Sequence, residues 1–81
     1  MKINVRFVCR EIVGAARSGV YTLGEQGSVS ELMAYAAAEN GSFIPDYGRF
    51  VVYLVNDRPA AEQTALRDGD RVTVLRKAHG G

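Results

Sequence analysis

Residues 28–41 read SVSELMAYAAAENG, and this stretch decides the fold. Ser28 and Glu31 stand at the S-x-x-E spacing of a capping box. The serine hydroxyl can accept from the third amide of a helix, and the glutamate can reach back to the serine amide. Val29, Leu32, Met33, Ala36 and Ala37 recur at helical spacing and predict a buried stripe. Asn40-Gly41 supplies a left-handed stop. The spacing therefore predicts one helix from Ser28 to Asn40, and no other stretch carries so clear a helical pattern.

Around it lie strands and turns. Ile3, Val5, Phe7 and Cys9 alternate with Lys2, Asn4 and Arg6, the period-two pattern of a half-buried strand over 2–9. Arg10 to Gly19 reads as turn, with Gly14 and Gly19 as breakers, and Val20 to Leu23 as a second strand. After the helix, Pro45, Asp46 and Gly48 punctuate a loop. Phe50 to Val55 is an unbroken apolar strand, covered on one face or on both. Asn56-Asp57 is a turn, and Pro59 marks 58–60 as a short edge strand. Leu66 is expected to plug the core. In Asp68-Gly69-Asp70 the glycine supplies the positive φ of a tight turn. Arg71 to Arg76 is the last strand, Val72 and Val74 inward, Thr73 and Leu75 outward. One helix cannot cover both faces of such a sheet. The economical arrangement is α+β: a mixed four- to five-stranded sheet with the helix packed on one face, first and last strands central and parallel. That is the β-grasp, or ubiquitin-like, fold over residues 1–77, with 78–81 as a flexible tail. An open α+β sandwich of another topology has the same periodicities.

The chain has 81 residues, 47% hydrophobic and 23% charged, the composition of one small globular domain. A domain this size buries roughly 60% of the surface that its unfolded chain exposes. Its core is thin, with little room for an enclosed active site, so function is expected at the surface or at a chain end. Ten basic and nine acidic residues give a net charge of +1, which excludes bulk attraction to nucleic acid or to an anionic membrane. The lone cysteine, Cys9, cannot form an intramolecular disulfide and fits a reducing compartment. The start Met1-Lys2-Ile3-Asn4 is no signal peptide, and the longest apolar run, Leu32 to Ala38, falls far short of the about 20 residues of a membrane span. A cytoplasmic location is expected.

Internal chemistry is sparse. His79 and Cys9 have no ligand spacing, and a structural zinc site takes four such ligands, so no metal is expected. Cys9 falls on the apolar face of its strand, where a thiol is a small inert hydrophobe. His79 has no orienting partner. Gly24-Glu25-Gln26-Gly27 precedes a helix but lacks the lysine of a phosphate loop. Asp68 and Asp70 read as turn formers rather than an acid/base pair. What remains is Gly80-Gly81. With glycine at about 7% of residues, such an ending arises by chance in roughly one chain in 200. An end without side chains can thread a narrow tunnel and present the carboxylate of Gly81 to the α-phosphate of ATP held by another protein.

These residues resemble the small sulfur-carrier proteins of molybdopterin and thiamine synthesis, the MoaD/ThiS family. Arg10-Glu11-Ile12-Val13-Gly14 resembles the R-E-L-x-G segment of molybdopterin synthase small subunits, and Ser28-Val29-Ser30-Glu31-Leu32 their helix start. Val55-Asn56-Asp57 resembles the V-N-G turn, and residues 66–72 the L-x-D-G-D-x-V stretch, before Gly80-Gly81 closes the chain. The first segment and the length favour the molybdopterin branch. Arg76-Lys77-Ala78-His79 stands where those subunits usually carry prolines and apolar residues.

The resemblance implies a carrier that is not an enzyme on its own and binds no cofactor. A ubiquitin-activating-type enzyme uses MgATP to adenylate Gly81, and a sulfur donor protein converts it to a thiocarboxylate. A larger synthase subunit receives the sulfur. Gly80 and His79 thread the partner's tunnel. Leu75 docks, together with whichever apolar set of 50–55 faces outward, a choice that the pattern leaves open. The other readings are a thiamine-type carrier, a ubiquitin-like covalent modifier, and a β-grasp binding module whose tail is idle.

Overall fold

Alternation carries the first strand, β1 (Lys2–Phe7): Ile3 and Val5 are buried while Lys2, Asn4 and Arg6 are exposed. The computed structural model describes residues 1–40 and 42–78. After β1 come α1 (Arg10–Val13), β2 (Gly19–Thr22), α2 (Val29–Asn40), a single 3-10 turn (Tyr47–Arg49), β3 (Val51–Val55), β4 (Arg58–Ala60) and β5 (Arg71–Arg76). The sheet runs β2-β1-β5-β3-β4. β1 and β5 pair in parallel, Val5 opposite Val72, and the other three pairings are antiparallel. With one main helix on the sheet, this is the α+β β-grasp arrangement.

The helix stripe is as the sequence predicts at four of its five positions; Ala37, at the edge of the stripe, is only half-buried. Val29, Leu32, Met33 and Ala36 are all buried, in one cluster with Ile3, Val5, Val51, Tyr53, Val72 and Val74. At its start the Ser28 hydroxyl accepts from the Glu31 amide at 3.3 Å. The amides of Val29 and Ser30 donate to the carbonyls of Thr64 and Glu62 at 3.0 and 2.8 Å. A distant segment thus satisfies first-turn donors that would otherwise lack partners. Leu66 closes the core from that same segment, and its amide bonds Gly27.

Two turns fix the sheet. Asn56 and Asp57 both adopt left-handed φ, 52° and 67°, as a tight two-residue hairpin between twisted strands requires. Gly69, at φ 87°, turns the chain into β5. There the Lys2 amide donates to Asp68 Oδ1 at 2.6 Å and the Arg67 amide to Asp70 Oδ2 at 2.8 Å. Asn56 joins the two turns: its Nδ2 donates to Asp70 Oδ1 and its Oδ1 accepts from the Arg71 amide, both at 3.0 Å. The two aspartates are turn formers.

Several details differ from the sequence reading. β1 ends at Phe7, because the chain turns into α1 with Cys9 as its N-cap, and β2 runs Gly19–Thr22 rather than from Val20 to Leu23. Residues 10–13 are helical rather than turn, with Ile12 and Val13 buried. One turn fits between Cys9 and Gly14, and Gly14 (φ 62°) then lets Ser42 approach; a Cβ there would lie 2.8 Å from it. The loop after α2 contains the 3-10 turn, and β3 begins at Val51, since Phe50 has φ −112° and ψ 0° and leaves the strand alternation. Five rings, Tyr47, Phe43, Phe7, Tyr21 and Tyr35, meet edge to face in series at 5.0 to 6.3 Å. They tie that loop to β1, β2 and α2. Among the described residues no helix is long and apolar enough to cross a membrane.

Candidate functional site

β5 is the middle strand of the sheet, and in the sequence only three residues separate its end at Arg76 from Gly80-Gly81. The ladder continues past the strand end: the Lys77 amide donates to the Phe50 carbonyl at 2.7 Å. The described chain therefore leaves the sheet held on its β3 side as far as Lys77, and Ala78 is exposed. Gly81, Gly80 and His79 lie outside the described residues.

Beside this exit is a groove of about 490 Å³. Ile12, Ile44, Phe50 and Ala78 supply its apolar lining. Ile12 comes from α1, and Ile44 is held in place by its amide, which donates to the Ile12 carbonyl at 3.0 Å. The charged lining is Glu11, Arg49, Arg76 and Lys77. Arg76 and Glu11 pair at 3.5 Å, both partly exposed.

The outer sheet face is the second feature. β5 has Val72 and Val74 buried, so its partner residues on β3 follow: Tyr53 opposite Val74 is inward, and Val52 opposite Leu75 is outward. Val52 is 39% exposed, and Leu54 and Leu75 are half-buried. Val8, 49% exposed, follows β1 and donates its amide to the Val74 carbonyl. The outward apolar set of β3 is thus Val52 and Leu54. Phe50, grouped with them by alternation, lines the groove instead.

Sequence reasoning missed the groove. Phe43-Ile44, an apolar pair inside a loop rich in turn residues, was the available signal. Cys9 is fully buried with its thiol directed at the Val74 carbonyl, 3.6 Å away. Burial, and next the Glu11 carboxylate, push that thiol's pKa up. It is therefore protonated and a poor nucleophile. Among the described residues no group of three or more His, Cys, Asp or Glu could hold a metal ion.

A family model described as the ThiS family matches residues 8–81. No curated protein matches the sequence. Among solved structures, the Haloferax volcanii HVO 2177 protein is 30% identical, over 100% of this chain and 87% of its own, with a TM-score of 0.73. A chain in the complex of subunits 1 and 2 of the molybdopterin-converting factor of Helicobacter pylori 26695 is 23% identical over 100% of both chains, TM-score 0.60. The thiamine biosynthesis protein ThiS of Geobacter metallireducens is 21% identical over 100% of both, TM-score 0.60. The last two likenesses are of fold.

Proposed function

The chain belongs to the ThiS family, and from that premise we propose that it carries sulfur on Gly81 for molybdopterin synthesis. The observation that carries the reading is the exit of the chain from the central strand, held by the Lys77–Phe50 bond, towards two glycines. The Arg10–Gly14 segment, so similar to that of molybdopterin synthase small subunits, favours this branch over the thiamine one. The molybdopterin-converting-factor complex of Helicobacter pylori shares the fold and is consistent with a larger partner subunit.

In this reading the Gly81 carboxylate attacks the α-phosphorus of MgATP on a ubiquitin-activating-type enzyme, and pyrophosphate leaves. The terminal sulfur of a persulfide on the sulfur donor protein then attacks the activated carbonyl carbon and AMP leaves. A second thiol reduces the acyl disulfide, releasing the thiocarboxylate and leaving a disulfide on the donor. The domain contributes no catalytic group. It presents the end, with Gly80 and His79 in the partner's tunnel, and docks through Leu75 and its outward neighbours.

The test is ATP–pyrophosphate exchange with the activating enzyme, followed by intact mass. Removing Gly81 shortens the reach by at most about 3.3–3.6 Å, and even a 1 Å misplacement can cost about a hundredfold in rate. The truncated protein should fold and bind its partner, yet neither exchange pyrophosphate nor replace an oxygen by sulfur. Gly80→Val should act alike, through bulk. Full activity after truncation would leave the idle-tail module as the better reading. An adduct joined to lysine, in place of the thiocarboxylate, would make the chain a covalent modifier.

A further inference from the structure

Four charged residues line the groove at the chain's exit, and their charges do not balance. Glu11 is matched by Arg76 at 3.5 Å. Arg49 and Lys77 have no ion pair among the described residues, although both side chains border an apolar surface made by Ile12, Ile44 and Phe50. Phe50 is 43% exposed there. A neutral partner laid over this surface would strip water from two cations and return nothing, which costs far more than the apolar contact yields. A partner that brings carboxylates to Arg49 and Lys77 avoids that loss and gains from burying Phe50.

We infer that the groove receives a segment of the adenylating enzyme in which an apolar side chain is flanked by carboxylates. The inference rests on the carrier reading above and names the partner's chemistry at one place. The phosphates of ATP are the other anions within that encounter. Three residues can span up to about 10 Å, so with the carboxylate of Gly81 drawn out to the α-phosphate, the cations beside Ala78 meet protein rather than nucleotide. Arg49 and Lys77, the two cations of the groove without an ion pair among the described residues, then select an acidic partner and repel a basic one.

The experiment measures pyrophosphate exchange by the ubiquitin-activating-type enzyme of the same genome, with the carrier as varied substrate. Arg49→Glu and Lys77→Glu should each raise the KM for the carrier by about tenfold, with kcat and the KM for ATP unchanged. The difference from wild type should shrink as salt is added. Phe50→Ala should raise the same KM without changing its salt dependence. Arg58→Glu, on the far edge strand β4, should do nothing. Should a charge reversal lower the melting temperature, Arg49→Gln and Lys77→Gln replace it and should show a smaller rise of the same kind. An unchanged carrier KM overturns the inference, as does an equal rise in Arg58→Glu, which would report a general field. A raised KM for ATP would assign the cations to nucleotide and overturn it too. Absence of exchange by the wild-type chain overturns the carrier reading itself, and the groove's partner with it.

Discussion

Tyr53 places a polar atom in the core. Only 5% of it is exposed, and its hydroxyl has no hydrogen-bond partner among the described residues. Burial first, then the charges of Glu62, Tyr47 and Cys9, push its pKa far above the usual phenol range. An unsatisfied buried hydroxyl costs about 1–3 kcal/mol, so Tyr53→Phe should stabilise the domain by an amount of that order in urea denaturation. A loss of stability would show that the oxygen is bonded. The same residue governs alkaline behaviour. The folded state holds the protons of Tyr53, Tyr47 and Cys9 more tightly than the unfolded chain does. Stability is therefore full below about pH 9 and falls as pH rises through the folded-state values; Tyr53→Phe should flatten that decline. Legibility at this scale was uneven. Asp68, Gly69 and Asp70 announced their turn because its residue types and the positive φ of Gly69 are local features, although Lys2 and Asn56 also bond to it. The fate of one phenol depends on atoms from β3 and from the segment carrying Glu62, which no local pattern contains.

The helix α2 was legible because its stripe and its cap point to the same element; the stop read at Asn40-Gly41 falls on Gly41, outside the described residues. Leu32, fully buried in its first turn, should cost about 2–5 kcal/mol when cut to Ala, measured by chemical denaturation; a neutral result would mean that the helix face is wrongly assigned. β3 was legible as a strand but not as a surface, since both its residue sets are apolar. Its facing is settled by β5: Tyr53 lies opposite Val74, which is buried, so Val52 must lie outward opposite Leu75. Leu75→Asp should lower stability by no more than about 1 kcal/mol, the span of strand preferences, while weakening binding to the larger synthase subunit in calorimetry. A collapse of the melting temperature would put Leu75 in the core. α1 escaped because a single helical turn is too short for periodicity, and Gly14 reads equally as a breaker or as the residue that ends it.

At the scale of the whole molecule, the topology could be read from element order, but the groove could not. Its lining comes from α1, from the segment carrying Ile44, Arg49 and Phe50, and from the end of β5, and only the folded sheet brings these together. The chain end that carries the functional reading was legible for the opposite reason, because a terminal glycine pair is a feature of sequence alone. The placement of β5 between β1 and β3 has a mechanical side. A pull on Ala78 along the strand axis is borne by two hydrogen-bonded ladders, one on each side of β5. Their bonds lie across the line of force and are loaded together, in shear, instead of opening one after another like a zip. A chain drawn by its end into another protein transmits that tension to the middle of its own sheet, where the domain resists it as a unit.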